Sequence, residues 1–426
     1  MPSQGPRVAV VGGSLGGLIT ALQLRDVGCD VQIFERSPVP LEGRGAGIVL
    51  HPVTTRYFEE HGLLDLGRVS SSARILRYLT REGDVLLEEP IVYRFTSYAT
   101  LYAALVDFLE PERYHLGRDL VGFDQVGDEV VARFADGDAD HFDLLVGADG
   151  IRSTVRSLLF PDLRPAYAGY VGWRGTLPED RLSARPRNEL SDVLTYHVGE
   201  RTHVLSYEIP ATEGAGRSMN WVWYRNLPDG RPLEALLTDR SGLSHDLSLP
   251  PGAVGDDHIE ELREAAGDLP PAFTDLVRAT SSPFVQVIVD LEVSAMVRGR
   301  VCLAGDAAFA LRPHIAAGTA KAAADARALA DAIEEAGGAV PTALRAWEPG
   351  QLALGRATMA RTREVGERAQ VTSTFRPGDP EVAFGLREPK DGNFPAEVPA
   401  GRGKVVHNVG YTSDAPRFLT PGEPGR

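Results

Sequence analysis

The sequence predicts an α/β fold: a βαβ-type unit on a parallel sheet, interrupted by an inserted antiparallel sheet and followed by a long C-terminal helix. Three observations carry this reading. A short β-branched run at 7–11 enters a glycine-rich turn at 12–17 and then a segment with helical apolar spacing. Two later apolar runs, 142–146 and 301–304, each lead into a glycine and an aspartate. Between them, 167–225 holds aromatic-rich runs separated by polar turns, the pattern of antiparallel strands.

The elements follow in order. Residues 15–27 read as a helix, and 30–34 as a second strand ending at Glu35. A helix is expected at 100–109, then strands near 113–116, 120–126, 129–134 and 142–146, then a helix at 151–159. After Pro161 come strands at 167–175, 193–198, 203–209 and 219–225, helices at 257–266 and 271–279, and a return strand at 283–291. The 301–304 strand and the Ala-rich helix after Pro313 rejoin the first unit. One long helix spans 340–370, with Pro349-Gly350 inside it, and from Phe375 the chain is rich in Pro and Gly.

Composition narrows the function classes. The 426 residues allow two domains and a tail. With 44 basic and 59 acidic residues the net charge is −15, which argues against nucleic acid and anionic membrane surfaces as partners. Cys29 and Cys302 are isolated and read as buried thiols, with no metal-ligand spacing. The N-terminus lacks a signal-peptide layout and no apolar run reaches bilayer length, so a cytoplasmic protein is expected. The sequence leaves a homodimer open.

Three separated motifs fit one nucleotide site. Gly12-Gly13-Ser14-Leu15-Gly16-Gly17 lies between strand and helix, where glycines let a pyrophosphate approach the helix start. Glu35, 23 residues after Gly12, is placed to bond ribose hydroxyls. The second motif is Gly147-Ala148-Asp149-Gly150 followed by Arg152 and Arg156, which share a face if the helix begins at 151. The third runs from Gly305-Asp306 through Pro313-His314 to Gly318 and Lys321. Its acid can hold a sugar hydroxyl, and its helix start offers free N–H groups and positive dipole. A plain turn, a solvated helix end and a packing helix would explain each motif singly, but not all three in one chain.

In motif order, over residues 7–370, the chain resembles the FAD-dependent aromatic hydroxylases of the p-hydroxybenzoate hydroxylase type. The Arg44-Gly45-Ala46-Gly47-Ile48 segment fits as well. Residues 312–321 and 219–226 are similar to the hydroxypyridine hydroxylases within that family. The resemblance implies a Rossmann-like FAD-binding domain (1–70, 99–165 and 291–335), an inserted antiparallel-sheet substrate domain (71–98 and 166–290), a C-terminal helix (336–371) and an arm or tail (372–426). It implies that Gly12, Ser14, Leu15 and Gly16 line the FAD pyrophosphate and Glu35 the adenosine ribose. Arg36, Gly47, Ile48 and Val121 join the implied cofactor set. Asp149 and Arg152 would help bind FAD and shape the path of the NAD(P)H donor, and Asp306 would sit by the ribityl-side phosphate. Pro313, Ala316, Ala317, Gly318 and Thr319 would border the isoalloxazine. Three departures stand out: Ser14 replaces the middle glycine, Tyr98 or Ser97 stands where the family often has Arg, and Ala316-Ala317 stand where it often has glycines.

The implied reaction is hydroxylation of a small hydroxylated aromatic or heteroaromatic ring, a hydroxypyridine in the closer resemblance, with NAD(P)H and O₂ through a flavin C4a-hydroperoxide. Such chemistry needs an ionised ring hydroxyl, and histidine is the usual base. His51, His203 and His314 are the candidates, each with a structural role as the plainer alternative. His203 and Tyr207 share one strand face, about 13 Å apart at Cα. Trp173, Trp221, Trp223 and Tyr224 are candidate ring walls, Arg174 or Arg225 a candidate anion holder, and Lys321 either a reactive or a snorkelling amine. A tetracycline- or polyketide-type hydroxylase, a reductase and a non-catalytic nucleotide module are the other readings. A halogenase is disfavoured because no Lys precedes Lys321.

Overall fold

The computed structural model describes residues 5–42, 47–62, 66–211, 216–379 and 384. Strand Arg7–Val11 is the centre of a six-stranded sheet. It pairs in parallel with Asp30–Glu35 on one side and Leu144–Gly147 on the other. Tyr114–Leu116 and Val301–Leu303 extend the parallel order outward, and Val297–Arg298 closes one edge antiparallel. Four of the five residues of Arg7–Val11 are buried, as a strand covered on both faces requires. Helices Leu15–Asp26 and Gly318–Glu335 pack together there: a Cβ on Gly16 would sit 3.5 Å from the Ala322 methyl. A three-stranded meander of Leu120–Val126, Glu129–Phe134 and Ala139–Phe142 forms a separate sheet.

The larger sheet holds Phe284–Glu292, Ala166–Pro178, Arg217–Asn226, Thr202–Pro210 and Leu194–Gly199 as successive antiparallel neighbours. Ser71–Leu79 joins Leu194–Gly199 in parallel, followed by Val85–Ser97 and then Gly47–Leu50. Gly47–Leu50 therefore belongs to this sheet, not to the parallel unit in which sequence reading put residues 1–70. Helices Asp256–Ala265 and Pro271–Ala279 cover one face of the sheet and bury Trp173, Trp221 and Trp223 with Phe273 and Leu276. Strand alternation turns Val222 and Tyr224 to the other face, where a cavity lies.

Local signals account for where elements begin. Ser97 caps helix Tyr98–Val106 by accepting from Thr100 N, so this helix starts two residues before the expected 100. Ser153 likewise caps Thr154–Leu159 by accepting from Arg156 N. That helix does not begin at 151, so Arg152 precedes it and is exposed, whereas Arg156 is buried. The two arginines do not share a helix face. Helix Val340–Gly366 runs through Pro349 and passes into a wider π turn at Glu367–Val371. Among the described residues no helix is long and apolar enough to cross a membrane.

Candidate functional site

At the nucleotide end the backbone leaves room for glycine alone. Gly12 has φ +108°, and a Cβ there would lie 2.4 Å from Ala148 O. A Cβ on Gly17 would lie 1.8 Å from Gly12 O. Ser14 adopts φ −85° and ψ −175°, ordinary extended backbone, so the serine at the middle-glycine position carries no strain. Its side chain does not cap helix Leu15–Asp26; its Oγ bonds to Tyr98 Oη at 2.8 Å instead. The first-turn amides are thus left to a ligand.

Glu35 accepts from Gly13 N and Ser37 N, both at 2.9 Å, pinning the glycine loop to the second strand. Tyr114 Oη donates to Gly13 O at 2.9 Å and bonds to Tyr102 Oη at 2.9 Å. A carboxylate has about four acceptor positions, so Glu35 keeps capacity for ribose hydroxyls. Arg36, next along, is exposed, as is Val121 on the meander. Arg44, Gly45 and Ala46 lie outside the described residues.

The second and third motifs are tied together by Arg156, which spacing had paired with Arg152. Arg156 donates to Ala307 O at 3.2 Å and to Ile151 O at 2.5 Å, joining the Asp-Gly turn to the loop after Val301–Leu303. Asp149 accepts from Val155 N at 3.1 Å, and burial raises its pKa. Asp306 opens onto the cavity, yet the surrounding protein desolvates it and raises its pKa to about 6, with Lys321 opposing. Lys321 neither snorkels nor lines the cavity. Its Nζ donates to Asp325 Oδ2 at 2.6 Å, and the same oxygen accepts from Gly305 N at 2.8 Å.

The Pro313–Ile315 turn ends in Ala316 at φ +54°, a left-handed conformation uncommon for alanine. His51 Nε2 lies 3.0 Å from Ala316 O and donates to it. Burial holds its pKa down at about 4, so it is neutral, and it does not line the cavity. Helix Gly318–Glu335 then starts without a side-chain cap, leaving the amides of Gly318 and Thr319 open beside the cavity.

The cavity, about 240 Å³, lies between this helix start and the larger sheet. Asp306, Pro313, Ala316, Ala317, Gly318 and Thr319 reach it from the helix-start side, and Gly47, Ile48, His203, Tyr207, Tyr224 and Arg174 from the sheet. Cross-strand register converges the sheet residues: His203 lies opposite Tyr224, Leu205 opposite Val222, and Val222 opposite Arg174. Tyr207 stacks on Phe95 at 4.2 Å between centroids. Phe384 stacks on His203 at 4.6 Å and on Tyr196 at 4.7 Å. The three tryptophans lie on the opposite face, so of the expected ring walls only Tyr224 is one. Arg225 is turned away, pairing with Glu261 at 3.5 Å.

Two histidines at the cavity are held in opposite tautomers. The hydrogen-bond network turns the Gln370 amide so that its oxygen accepts from His203 Nδ1 at 2.5 Å while its nitrogen donates to Arg201 O and Asn226 Oδ1. His203 Nε2 is then a bare acceptor with no partner among the described residues. Burial, with His314 nearby, holds the His203 pKa well below its ordinary value. His314 Nε2 meets Tyr170 Oη at 2.6 Å. Arg312, which Asp290 clamps at 2.9 and 2.8 Å, lies over the Tyr170 ring, 5.8 Å from its centroid. Burial keeps the Tyr170 phenol protonated, and among the described residues its only acceptor is Nε2, so its proton goes there and His314 carries its own on Nδ1, which has no partner among the described residues. Burial lowers the His314 pKa to about 3. The two rings are 5.2 Å apart, one presenting an acceptor and the other a donor.

Comparison with known proteins shows the family. A family model described as FAD binding domain-like matches residues 167–290. The chain is 40% identical over 382 residues to 2,6-dihydroxypyridine 3-monooxygenase of Paenarthrobacter nicotinovorans, covering 89% of this chain and 96% of that protein. It is 30% identical over 350 residues to 6-hydroxynicotinate 3-monooxygenase of Pseudomonas fluorescens, covering 79% and 84%. The solved structure of 2,6-dihydroxypyridine-3-hydroxylase from Arthrobacter nicotinovorans superposes with a TM-score of 0.87 at 38% identity, covering 93% of this chain and 100% of that one. Klebsiella pneumoniae HpxO, solved with FAD and uric acid, shares the fold at TM-score 0.73 and 24% identity, covering 88% and 91%.

Proposed function

The chain belongs to the FAD-dependent aromatic-ring monooxygenases, and from that premise we propose that it hydroxylates a small hydroxylated pyridine. The observation that carries the reading is the single cavity in which an uncapped helix start and the Pro313-His314 loop face the His203–Tyr207 strand.

The glycine cradle, Glu35, the uncapped start of Leu15–Asp26 and Asp306 fit FAD by shape and by donor and acceptor set. Leu15 and Gly16 amides would hold the pyrophosphate with Gly12 and Ser14 shaping the approach, and Glu35 the ribose. Asp149 would act by fixing the Asp-Gly turn, and Arg152 stands exposed beside it. Bound FAD supplies the redox chemistry, taking electrons from NAD(P)H and activating O₂. The open amides of Gly318 and Thr319 would favour negative charge at the flavin edge bordered by Pro313, Ala316 and Ala317.

The chain's own residues prepare the ring. His203 Nε2 accepts the proton of a substrate hydroxyl, and Gln370 keeps that nitrogen bare. His314 Nδ1–H donates to a neighbouring ring oxygen or nitrogen. Tyr207 and Tyr224, kept neutral because burial raises their pKa values, supply further donors. His51 acts through Ala316, as a positioning residue. The buried aromatic wall excludes water from the ring. A cavity of about 240 Å³, part of which the flavin edge must share, suits one ring better than the fused rings of a tetracycline-type substrate.

The experiment is NAD(P)H oxidation by the FAD-loaded protein, with O₂ uptake and peroxide release followed together. 2,6-Dihydroxypyridine or 6-hydroxynicotinate is expected to stimulate oxidation with little peroxide. Oxidation that no hydroxypyridine stimulates contradicts the reading.

A further inference from the structure

Arg174 stands at this cavity as a cation without a counter-ion. It lies on strand Ala166–Pro178, opposite Val222 on one neighbour and Phe284 on the other, and its side chain lines the cavity. Among the described residues it forms no ion pair, and its Nε is buried without a hydrogen-bond partner. The other guanidinium at the cavity, Arg312, is clamped by both oxygens of Asp290. Asp306 lines the cavity too, but on the helix-start side beside Lys321. The charge of Arg174 favours the ionised forms of Tyr207 and Tyr224, which puts the guanidinium among the side chains that would surround the ring.

A partly desolvated guanidinium without a partner is costly, and the cost is recovered when an anion docks on its planar fork. The sheet supplies the distance. Arg174 is two strands and two residues from His203, about 12 Å at Cα, so the two side chains reach opposite edges of a single ring.

We propose that Arg174 is the counter-ion of the substrate, so that the enzyme selects an anionic ring and holds its oxyanion or carboxylate while the hydroxyl to be deprotonated faces His203. This rests on the hydroxylase reading for the ring but not for the charge. An oxyanion and a carboxylate present the same chemistry to the fork, and binding measurements separate them.

The test is equilibrium titration of the FAD-loaded protein, read by flavin absorbance, for wild type, Arg174→Gln and Arg174→Lys. The ligands are 2,6-dihydroxypyridine, 6-hydroxynicotinate, benzoate and the neutral benzamide. Arg174→Gln is expected to keep wild-type FAD content and to weaken the anionic rings by roughly 10- to 100-fold while leaving benzamide almost unchanged, with partial recovery in Arg174→Lys. Loss for 6-hydroxynicotinate and benzoate alone identifies a carboxylate site. Loss for 2,6-dihydroxypyridine that appears only above its hydroxyl pKa identifies an oxyanion site. No loss, or equal loss for benzoate and benzamide, overturns the proposal. A wild type that prefers benzoate over benzamide through Arg174 but turns over neither hydroxypyridine keeps the counter-ion and sinks the substrate reading. Binding of none of these rings by wild type overturns both.

Discussion

At the nucleotide end, Glu35 accepts two backbone amides, Tyr114 bonds to Gly13 and Tyr102, and Lys321 closes on Asp325. At the sheet cavity, Arg174 Nε, His203 Nε2 and His314 Nδ1 are buried without partners among the described residues. The first region commits an oxygen of each of Glu35, Asp149 and Asp325 to a backbone amide, although Asp149 Oδ1 and Asp325 Oδ1 have no partner among the described residues; the second keeps ring and guanidinium nitrogens for a ligand. Substitutions in the first should therefore be read in stability and cofactor retention, and in the second in turnover and binding.

The largest effect is expected at Lys321. Lys321→Met leaves Asp325 buried beside Gly305 with its charge unpaired, a loss of about 3–5 kcal/mol in unfolding free energy. Chemical denaturation with FAD retention measured in parallel checks it; a wild-type midpoint would show that the pair does not hold the helix start. A smaller effect on stability, and a larger one on turnover, is expected at His203. His203→Asn should slow hydroxylation about 100-fold or more while the unfolding midpoint stays near wild type. The pH profile sharpens this. A histidine whose pKa is depressed in the folded protein is neutral above its ordinary value and is protonated only as pH falls through the lower, folded value. The wild-type acid limb assigned to this base should therefore lie below pH 6.5, the ordinary histidine value. A limb at or above that value, or one unchanged in His203→Asn, would remove His203 as the base.

The same contrast explains what the sequence disclosed. Gly12 and Gly17 were legible because their constraint is local: backbone crowding at a strand-to-helix turn admits no side chain. Glu35 was legible by its distance along a βαβ unit. His203 and Tyr207 were placed on one face by strand periodicity alone. Tyr224 and Arg174 were named as a ring wall and an anion holder but not set beside them, because cross-strand register does that; Tyr170, and Gln370 from the far end of the last helix, were not singled out. The tryptophans were assigned no certain face, since helices Asp256–Ala265 and Pro271–Ala279 decide which side of the sheet is core. Arg152 and Arg156 were paired wrongly because the Ser153 cap moves the helix start. Lys321 did carry a signal that reading passed over: Asp325 lies four residues on, the spacing of a helical ion pair.

The most direct test of the hydroxylase reading is the fate of the oxygen atom. Turnover of 2,6-dihydroxypyridine with NAD(P)H under isotopically labelled O₂, with the product weighed by mass spectrometry, should place one labelled oxygen on the ring for each nicotinamide oxidised. Unlabelled product, or NAD(P)H consumed with peroxide as the only oxygen product, would contradict it.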